Sequence, residues 1–368
     1  MVHYKRKSTE REVTKMQKIN KLRDELKELN LDGLIITNPY NRRYISGFTG
    51  TAGIVLITPK EQIFLTDFRY MEQAAKQAVG FNVVEHKQSI IKKLAELIDE
   101  RDLAKVGFEE DDLTHQTYKA YAKEINAELV ATSGILANIR MIKTEAELEV
   151  MEQAAAISDQ AYDHILSFVK PGMTEIEVSN ELEFFMRKQG ATSSSFDIIV
   201  ASGVRSALPH GVATDKKIAA GELVTLDFGA LYKGYCSDMT RTFAVGEISD
   251  ELRKIYDTVL EAHMRGIKGT KAGMTGKEAD ALTRDYIKAE GFGDYFGHGT
   301  GHGLGMEVHE GPRLSPMGEV TLKENMVVTV EPGIYVPNVG GCRIEDDIVI
   351  MKDGNRSLNK APKGLIIV

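Results

Sequence analysis

Acidic residues in this sequence recur where two chain segments can bring them together. The stretch Thr225–Phe243, TLDFGALYKGYCSDMTRTF, reads as two short strands about a glycine-containing turn, and each strand carries one aspartate, Asp227 and Asp238. A four-residue loop over Leu231–Gly234 would set the two directly opposite each other on an antiparallel ladder. Opposed side chains have Cβ atoms about 5 Å apart. Two carboxylates held that close repel, and need a shared proton or a cation between them. Val327–Gly333, VVTVEPG, aligns with Leu223–Gly229, LVTLDFG, which puts Glu331 on Asp227. Gly341–Asp346, GCRIED, supplies Glu345 in the place of Asp238. Four carboxylates then converge, which favours a metal over a shared proton.

Three of the nine histidines, His298, His302 and His309, lie in the stretch 297–310, GHGTGHGLGMEVHE. Its five glycines over Gly297–Gly305 argue against plain helix or strand and for close backbone approach. The spacing is not that of a phosphate loop: G-x-G-x-x-G is absent here, and the chain contains no G-x-x-x-x-G-K-[ST], H-E-x-x-H or G-x-S-x-G. Four carboxylates and an imidazole make a hard, oxygen-rich site that can hold two divalent cations if carboxylates bridge. Paired ions about 3.5–4 Å apart hold a shared water and bring its pKa from about 16 to about 7. Manganese, cobalt, iron and zinc all suit these donors. Arg343, two residues before Glu345 and on the same strand face, suits a bidentate hold on a carboxylate. Asp346 and Asp347 read as structural, and Cys236 as small core filler.

The elements that must position these residues are themselves repeated. Residues 170–190, KPGMTEIEVSNELEFFMRKQG, align without gaps on 271–291, KAGMTGKEADALTRDYIKAEG. Each copy carries a helix-starting capping box, Thr174/Glu177 and Thr275/Glu278. The duplication predicts pseudo-twofold symmetry with the site on the axis. A long helix capped at Thr144 runs to about Val169, and a second helix to about Lys188. A strand near Phe196–Ala201 and a loop with Pro209-His210-Gly211 follow. The second copy opens with helices over Ser249–Gly269 and Thr275–Glu290. Upstream, Ile19, Leu22, Leu26 and Leu29 predict an amphipathic helix. Strands over 32–37, 52–58, 62–66 and 105–109, with helices near 69–79 and 88–101, predict a small α/β domain ending near Asn138. Residues 1–15 are polar and basic and expected to fray, and Met16 competes with Met1 as the start.

At 368 residues the chain is long enough for two domains. A net charge of −8 argues against general nucleic-acid binding. No apolar run reaches the roughly 18 residues of a membrane span, and MVHYKRKSTEREVTK lacks the apolar core of a secretory signal. Two cysteines, Cys236 and Cys342, make no disulfide framework and fit a reducing cytoplasm.

These stretches resemble the metal-dependent Xaa-Pro peptidases of the pita-bread fold, the group that includes aminopeptidase P and prolidase. The residues that carry the resemblance are LDFGALYKGYCSDMTRTF, HGTGHGLGMEVHE, EPGIY, RIEDD and LPHG at 208–211. GFTGTAG and TDFRY are similar to short bacterial members. The resemblance implies an α/β (α+β) chain with a creatinase-type N-terminal domain over 1–138 and a catalytic pita-bread domain over 139–368. It implies Asp227, Asp238, His302, Glu331 and Glu345 as ligands of a dinuclear centre, most often manganese, with Asp238 and Glu345 bridging. It further implies Glu331 as proton shuttle and His210 and His309 as groups that position substrate and stabilise the tetrahedral intermediate. His298 would line the proline side, and Arg343 would stand behind the ligands. The implied reaction is hydrolysis of the bond between an N-terminal residue and proline by a hydroxide bridging the ions. Within that reaction the short bacterial pattern favours aminopeptidase P over the dipeptidase, prolidase. Methionine aminopeptidase or creatinase chemistry, and a non-catalytic binding module, are the other uses of the fold. A homodimer is also implied, with the N-terminal domain of one subunit near the partner's site.

Overall fold

The structure, a computed structural model, describes residues 2–368, with side chains from Lys15 onward. The expected frayed stretch 1–15, and the choice between Met1 and Met16 as start, fall almost wholly outside the described side chains. The chain divides into two compact units, Met1–Arg140 and Met141–Val368.

In the first unit the helix Val2–Glu28 buries Ile19, Leu22 and Leu26. Leu29, expected on the same stripe, is exposed because the helix ends before it. A six-stranded sheet follows, in the order Asn82–Glu85, Gln62–Thr66, Ile54–Ile57, Gly33–Ile36, Lys105–Glu109, Glu128–Thr132. The central three strands are antiparallel and the outer pairings parallel. Both edge strands escaped the sequence reading. Asn82–Glu85 and Glu128–Thr132 bury no residue fully, so neither carries the apolar run that marks a core strand.

The second unit repeats one arrangement twice. Helices Glu145–Phe168 and Glu175–Lys188 pack on the sheet Ile199–Ser202, Glu222–Phe228, Met239–Val245, with Tyr162, Leu182, Val224 and Phe243 in the shared core. Helices Asp250–Gly269 and Gly276–Ala289 take the corresponding places in the second half, whose sheet includes Gly301–Gly303, Val327–Val330 and Asp346–Met351. Both short helices start with complete capping boxes, at Thr174 and Thr275. The ties after them match: Gly172 N–H donates to the Ile218 carbonyl as Gly273 N–H does to Leu322, and Ile218 N–H donates to Met173 as Leu322 N–H does to Met274.

The first acidic hairpin departs from the expected register. Its turn is the two-residue Lys233–Gly234, at φ 49° and 90°, between the paired Tyr232 and Tyr235. Such a turn follows the natural strand twist, and the four-residue loop over Leu231–Gly234 does not form. The ladder therefore pairs Asp227 with Thr240, which leaves Asp238 two residues along and diagonal to Asp227, not opposite it. Diagonal residues on one face stand about 7–8 Å apart, enough for an ion between their carboxylates. In the second hairpin Val330 pairs with Asp346 and Gly333 with Arg343, so Glu331 and Glu345 face each other across the gap between the two ladders.

His302 is carried by the strand Gly301–Gly303, which is wedged between neighbours. A Cβ on Gly303 would lie 1.9 Å from the Gly311 carbonyl oxygen. Gly303→Ala should therefore cost about 1–3 kcal/mol or more through overpacking, a fall of about 2–12 °C in Tm for a unit of this size. Thermal melts check this, and an unchanged Tm would mean that the strands do not approach so closely.

Candidate metal centre and substrate cavity

All nine residues singled out from the sequence line one cavity of about 510 Å³: His210, Asp227, Asp238, His298, His302, His309, Glu331, Arg343 and Glu345. Asp238, His302 and Glu345 each bring one donor atom to within 4.8 Å of the others. The His302 Nε2 lies 3.4 Å from Glu331 Oε1 and 3.7 Å from Asp238 Oδ2. Its Nδ1 sits 3.0 Å from the Gly303 carbonyl oxygen, which can only accept. The proton is thus assigned to Nδ1, and the Nε2 lone pair faces the acids.

Arg343 ties the acids together. Its Nη2 donates to Asp227 Oδ2 at 2.6 Å, and its Nε donates to the Thr240 hydroxyl at 3.0 Å. That hydroxyl in turn donates to Glu345 Oε2 at 2.6 Å. Nη1 donates to the Tyr335 hydroxyl at 2.8 Å, which also meets His298 Nε2 at 2.8 Å. Behind the site, Asp347 Oδ2 accepts from the Asp238 N–H at 3.0 Å, while Asp346 turns away to pair with the buried Arg241 at 2.8 Å. Cys236 is buried in the apolar cluster with Leu304 and Val327 rather than in the cavity, and burial pushes its thiol up to about 12.

One arginine does not balance four buried acids. Burial, with the Asp227 charge adding to it and Arg343 opposing, pushes Glu331 up to about 8. Burial first and the neighbouring carboxylates second hold Asp238 and Glu345 well above the carboxylate range. Burial likewise lowers His302 to about 3 and His298 to about 4, and pulls His309 down, so these rings are neutral at neutral pH. Asp227 Oδ1 and Asp238 Oδ1 are buried without a hydrogen-bond partner. Unpartnered buried acceptors, acids that resist ionising and a correctly oriented imidazole all fit divalent cations as the absent counter-charge.

Residues 149–352 match metallopeptidase family M24, and residues 18–142 match the creatinase/prolidase N-terminal domain. The chain belongs to the M24 metallopeptidases. This M24 chain is 58% identical to a solved Xaa-Pro dipeptidase from Bacillus anthracis, covering 96% of this chain and 100% of that one at a TM-score of 0.95. It is 38% identical to a Xaa-Pro dipeptidase of Pyrococcus furiosus over 95% of this chain and 99% of the relative. A solved X-Pro aminopeptidase from Thermotoga maritima is 39% identical, with 92% and 98% of the two chains covered and a TM-score of 0.88. The second unit is accordingly the pita-bread domain of a metallopeptidase, preceded by a creatinase-like domain, and the family works with divalent metal ions.

Several residues at or behind the cavity wall had no role in the sequence reading. Tyr335 was in view within EPGIY, but its bonds to His298 and Arg343 were not. Thr240 links Arg343 to Glu345 only because of the shifted hairpin register. Arg313 stands directly across the ladder from His302 and lines the cavity. Its pairing joins two strands separated by the loop 304–309, and no local pattern announces it.

The acids generate a pH dependence with a definite sign. The folded pKa of Glu331, about 8, lies above its ordinary value of 4.5. The metal-free fold therefore keeps this contribution below about pH 4.5 and loses it as pH rises through about 8. Melts of chelated protein should show Tm falling over that window, and a divalent ion should restore it. Ion binding should release protons, measured by calorimetry in two buffers of different ionisation enthalpy. Zero proton release at pH 7 would refute the protonated-acid account.

Proposed function

We propose that this M24 peptidase is a Xaa-Pro dipeptidase that works with two divalent ions, manganese first, held by Asp227, Asp238, His302, Glu331 and Glu345. Cobalt, zinc and iron suit the same donors. The observation that carries the choice of substrate length is Arg313. Its side chain is exposed at the cavity and makes no hydrogen bond or ion pair with any described residue. A dipeptide ending in proline presents a free carboxylate beside the ring, and a guanidinium takes such a group through two parallel bonds. A longer peptide puts a neutral amide there and forfeits those bonds. Two of the three relatives named above are dipeptidases, which supports the same reading. The preference for aminopeptidase P drawn from the short bacterial pattern gives way to it. The Thermotoga maritima aminopeptidase keeps the longer-substrate reading as the second choice.

The chain's own residues divide the work. Bound divalent ions supply an ionised water at neutral pH and polarise the scissile carbonyl. His309 and His210 donate N–H bonds to the carbonyl oxygen as it gains charge. Glu331 takes a proton from the attacking water and delivers it to the prolyl nitrogen, which leaves as an amine when its bond to the carbonyl carbon breaks. His298, fixed by Tyr335, faces the proline ring together with Phe196 and Val308. The prolyl nitrogen of the substrate carries no hydrogen, so the site needs no acceptor there. Arg343 holds Asp227 and, through Thr240, Glu345 in the places from which they bind the ions.

We further propose residues 1–138 and 139–368 as the N-terminal and catalytic domains, and a homodimer acting in the cytoplasm on proline-containing peptides. The two cysteines are free and buried, and among the described residues no helix is long and apolar enough to cross a membrane. Sedimentation in manganese-containing buffer measures the assembly.

Chelated protein given back manganese should cleave Ala-Pro much faster than Ala-Pro-Ala. Arg313→Ala should raise KM for Ala-Pro by about tenfold or more, as expected for a lost charged hydrogen bond, and leave KM for Ala-Pro-Ala within about twofold. Faster cleavage of the tripeptide would return the aminopeptidase reading. No cleavage of either with any of the four metals would turn attention to a binding module.

A further inference from the structure

The residue that begins each repeated helix faces a wall of the cavity, and the two copies differ there. In the second copy it is Gly276, where a Cβ would stand 2.0 Å from the Arg313 carbonyl oxygen. The backbone that carries Arg313 can pass only because that position is bare. In the first copy the matching residue is Glu175, a carboxylate with no solvent exposure.

Glu175 closes a loop. Its Oε1 accepts from the Ser202 N–H and hydroxyl, both at 2.9 Å, on one side. Its Oε2 accepts from the Thr214 N–H at 3.1 Å and the Thr214 hydroxyl at 2.8 Å, on the other. Arg205 Nε donates to Oε2 at 3.0 Å, and Nη2 of the same guanidinium crosses the loop to the Val212 carbonyl at 2.7 Å. One carboxylate therefore clasps both ends of the segment between Ser202 and Thr214 and braces its middle.

His210 lies in that segment, lines the cavity, is exposed, and its side chain makes no hydrogen bond with any described residue. Its imidazole is placed by its backbone alone. Other ties lead to the strand that carries Arg343, where Arg343 Nη1 donates to the Pro209 carbonyl at 3.2 Å and Gly341 N–H donates to the Ser206 hydroxyl at 2.8 Å, and to its neighbours, where Val212 bridges Ile199 and Ile176 N–H donates to the Thr214 carbonyl at 3.0 Å. The Glu175 carboxylate is the side chain that accepts from the backbone N–H at both ends, Ser202 and Thr214.

We propose that Glu175 is a positioning residue for the reaction. It holds the His210 loop against the scissile carbonyl, and its effect on catalysis passes through His210, although Glu175 itself does not line the cavity. This rests on the role given to His210 above. A misplacement on the order of 1 Å costs about 10²-fold in rate, so Glu175→Gln, which puts an amide among donors, should lower kcat/KM for Ala-Pro by up to about that factor.

Two independent readouts test it. Hydrogen exchange of the manganese-loaded protein should show amides of residues 203–214 exchanging about tenfold faster in E175Q, with amides of Gly276–Ala289 unchanged and manganese affinity within about twofold by calorimetry. In kinetics, H210A and E175Q/H210A should have the same kcat/KM, since residues acting as one unit are not additive. Unchanged exchange over 203–214 overturns the clasp whatever the substrate proves to be. A double variant slower than H210A by the full E175Q factor overturns action through His210. Absence of all Xaa-Pro cleavage by the native protein sinks the functional reading and the route through His210, while the exchange experiment still decides the clasp. If E175Q does not fold, Thr214→Val removes one arm of the clasp and must show the same pattern at smaller amplitude; failure to do so counts against the proposal.

Discussion

Buried negative charge in excess of its local partners is the constraint on which the second unit depends. Asp238 and Glu345 are almost wholly enclosed, Asp227 and Glu331 partly so, and Arg343 is the cation bonded directly to Asp227. An enclosed carboxylate loses its hydration and recovers that loss only through hydrogen bonds or opposite charge. Arg343 supplies part of it, directly to Asp227 and through Thr240 to Glu345. The remainder leaves acceptor atoms without partners. That residual demand makes the centre a cation site, and the same demand orients His302 with its lone pair inward.

Duplication explains how a chain assembles such a centre. A pair of helices on a sheet ending in an acidic hairpin can bury one face alone, and two copies about an axis bring two acidic hairpins together. The halves agree in their capping boxes and in the backbone bonds that follow them. They diverge where a substrate would lie. One helix start is a carboxylate that gathers the His210 loop; the other is a glycine that admits the Arg313 backbone. Symmetry thus serves the ions, and its breaking serves the cavity walls.

The neutral state of the histidines follows from the same burial. Desolvation and nearby arginines keep His298, His302 and His309 below their ordinary pKa. A neutral imidazole has one donor and one acceptor, so each ring's second nitrogen is specified by the bond its first one makes. Tyr335 and the Gly299 carbonyl fix His298 in this way, and the Gly303 carbonyl fixes His302. The ring of His309 stacks edge-on to His302, with centroids 4.4 Å apart.

What the sequence determined by itself was whatever a short stretch encodes. Capping boxes act over three residues, so the starts of the helices at Thr144, Thr174 and Thr275 were legible. The duplicated acid motifs and the histidine-glycine stretch were legible for the same reason, and so were nine of the residues that line the cavity. Tertiary structure decided everything that depends on which distant segments meet. The two-residue turn at Lys233–Gly234 shifted the ladder and made Asp238 diagonal to Asp227. The edge strands of the first unit form by pairing rather than by their own burial. Arg313 faces His302, and Glu175 clasps Ser202 and Thr214, across chain separations that no periodicity spans. Local preferences are set by steric and hydrogen-bonding limits within a few residues. Register and cross-strand partnership are set by the core as a whole, and they exist only once it has packed.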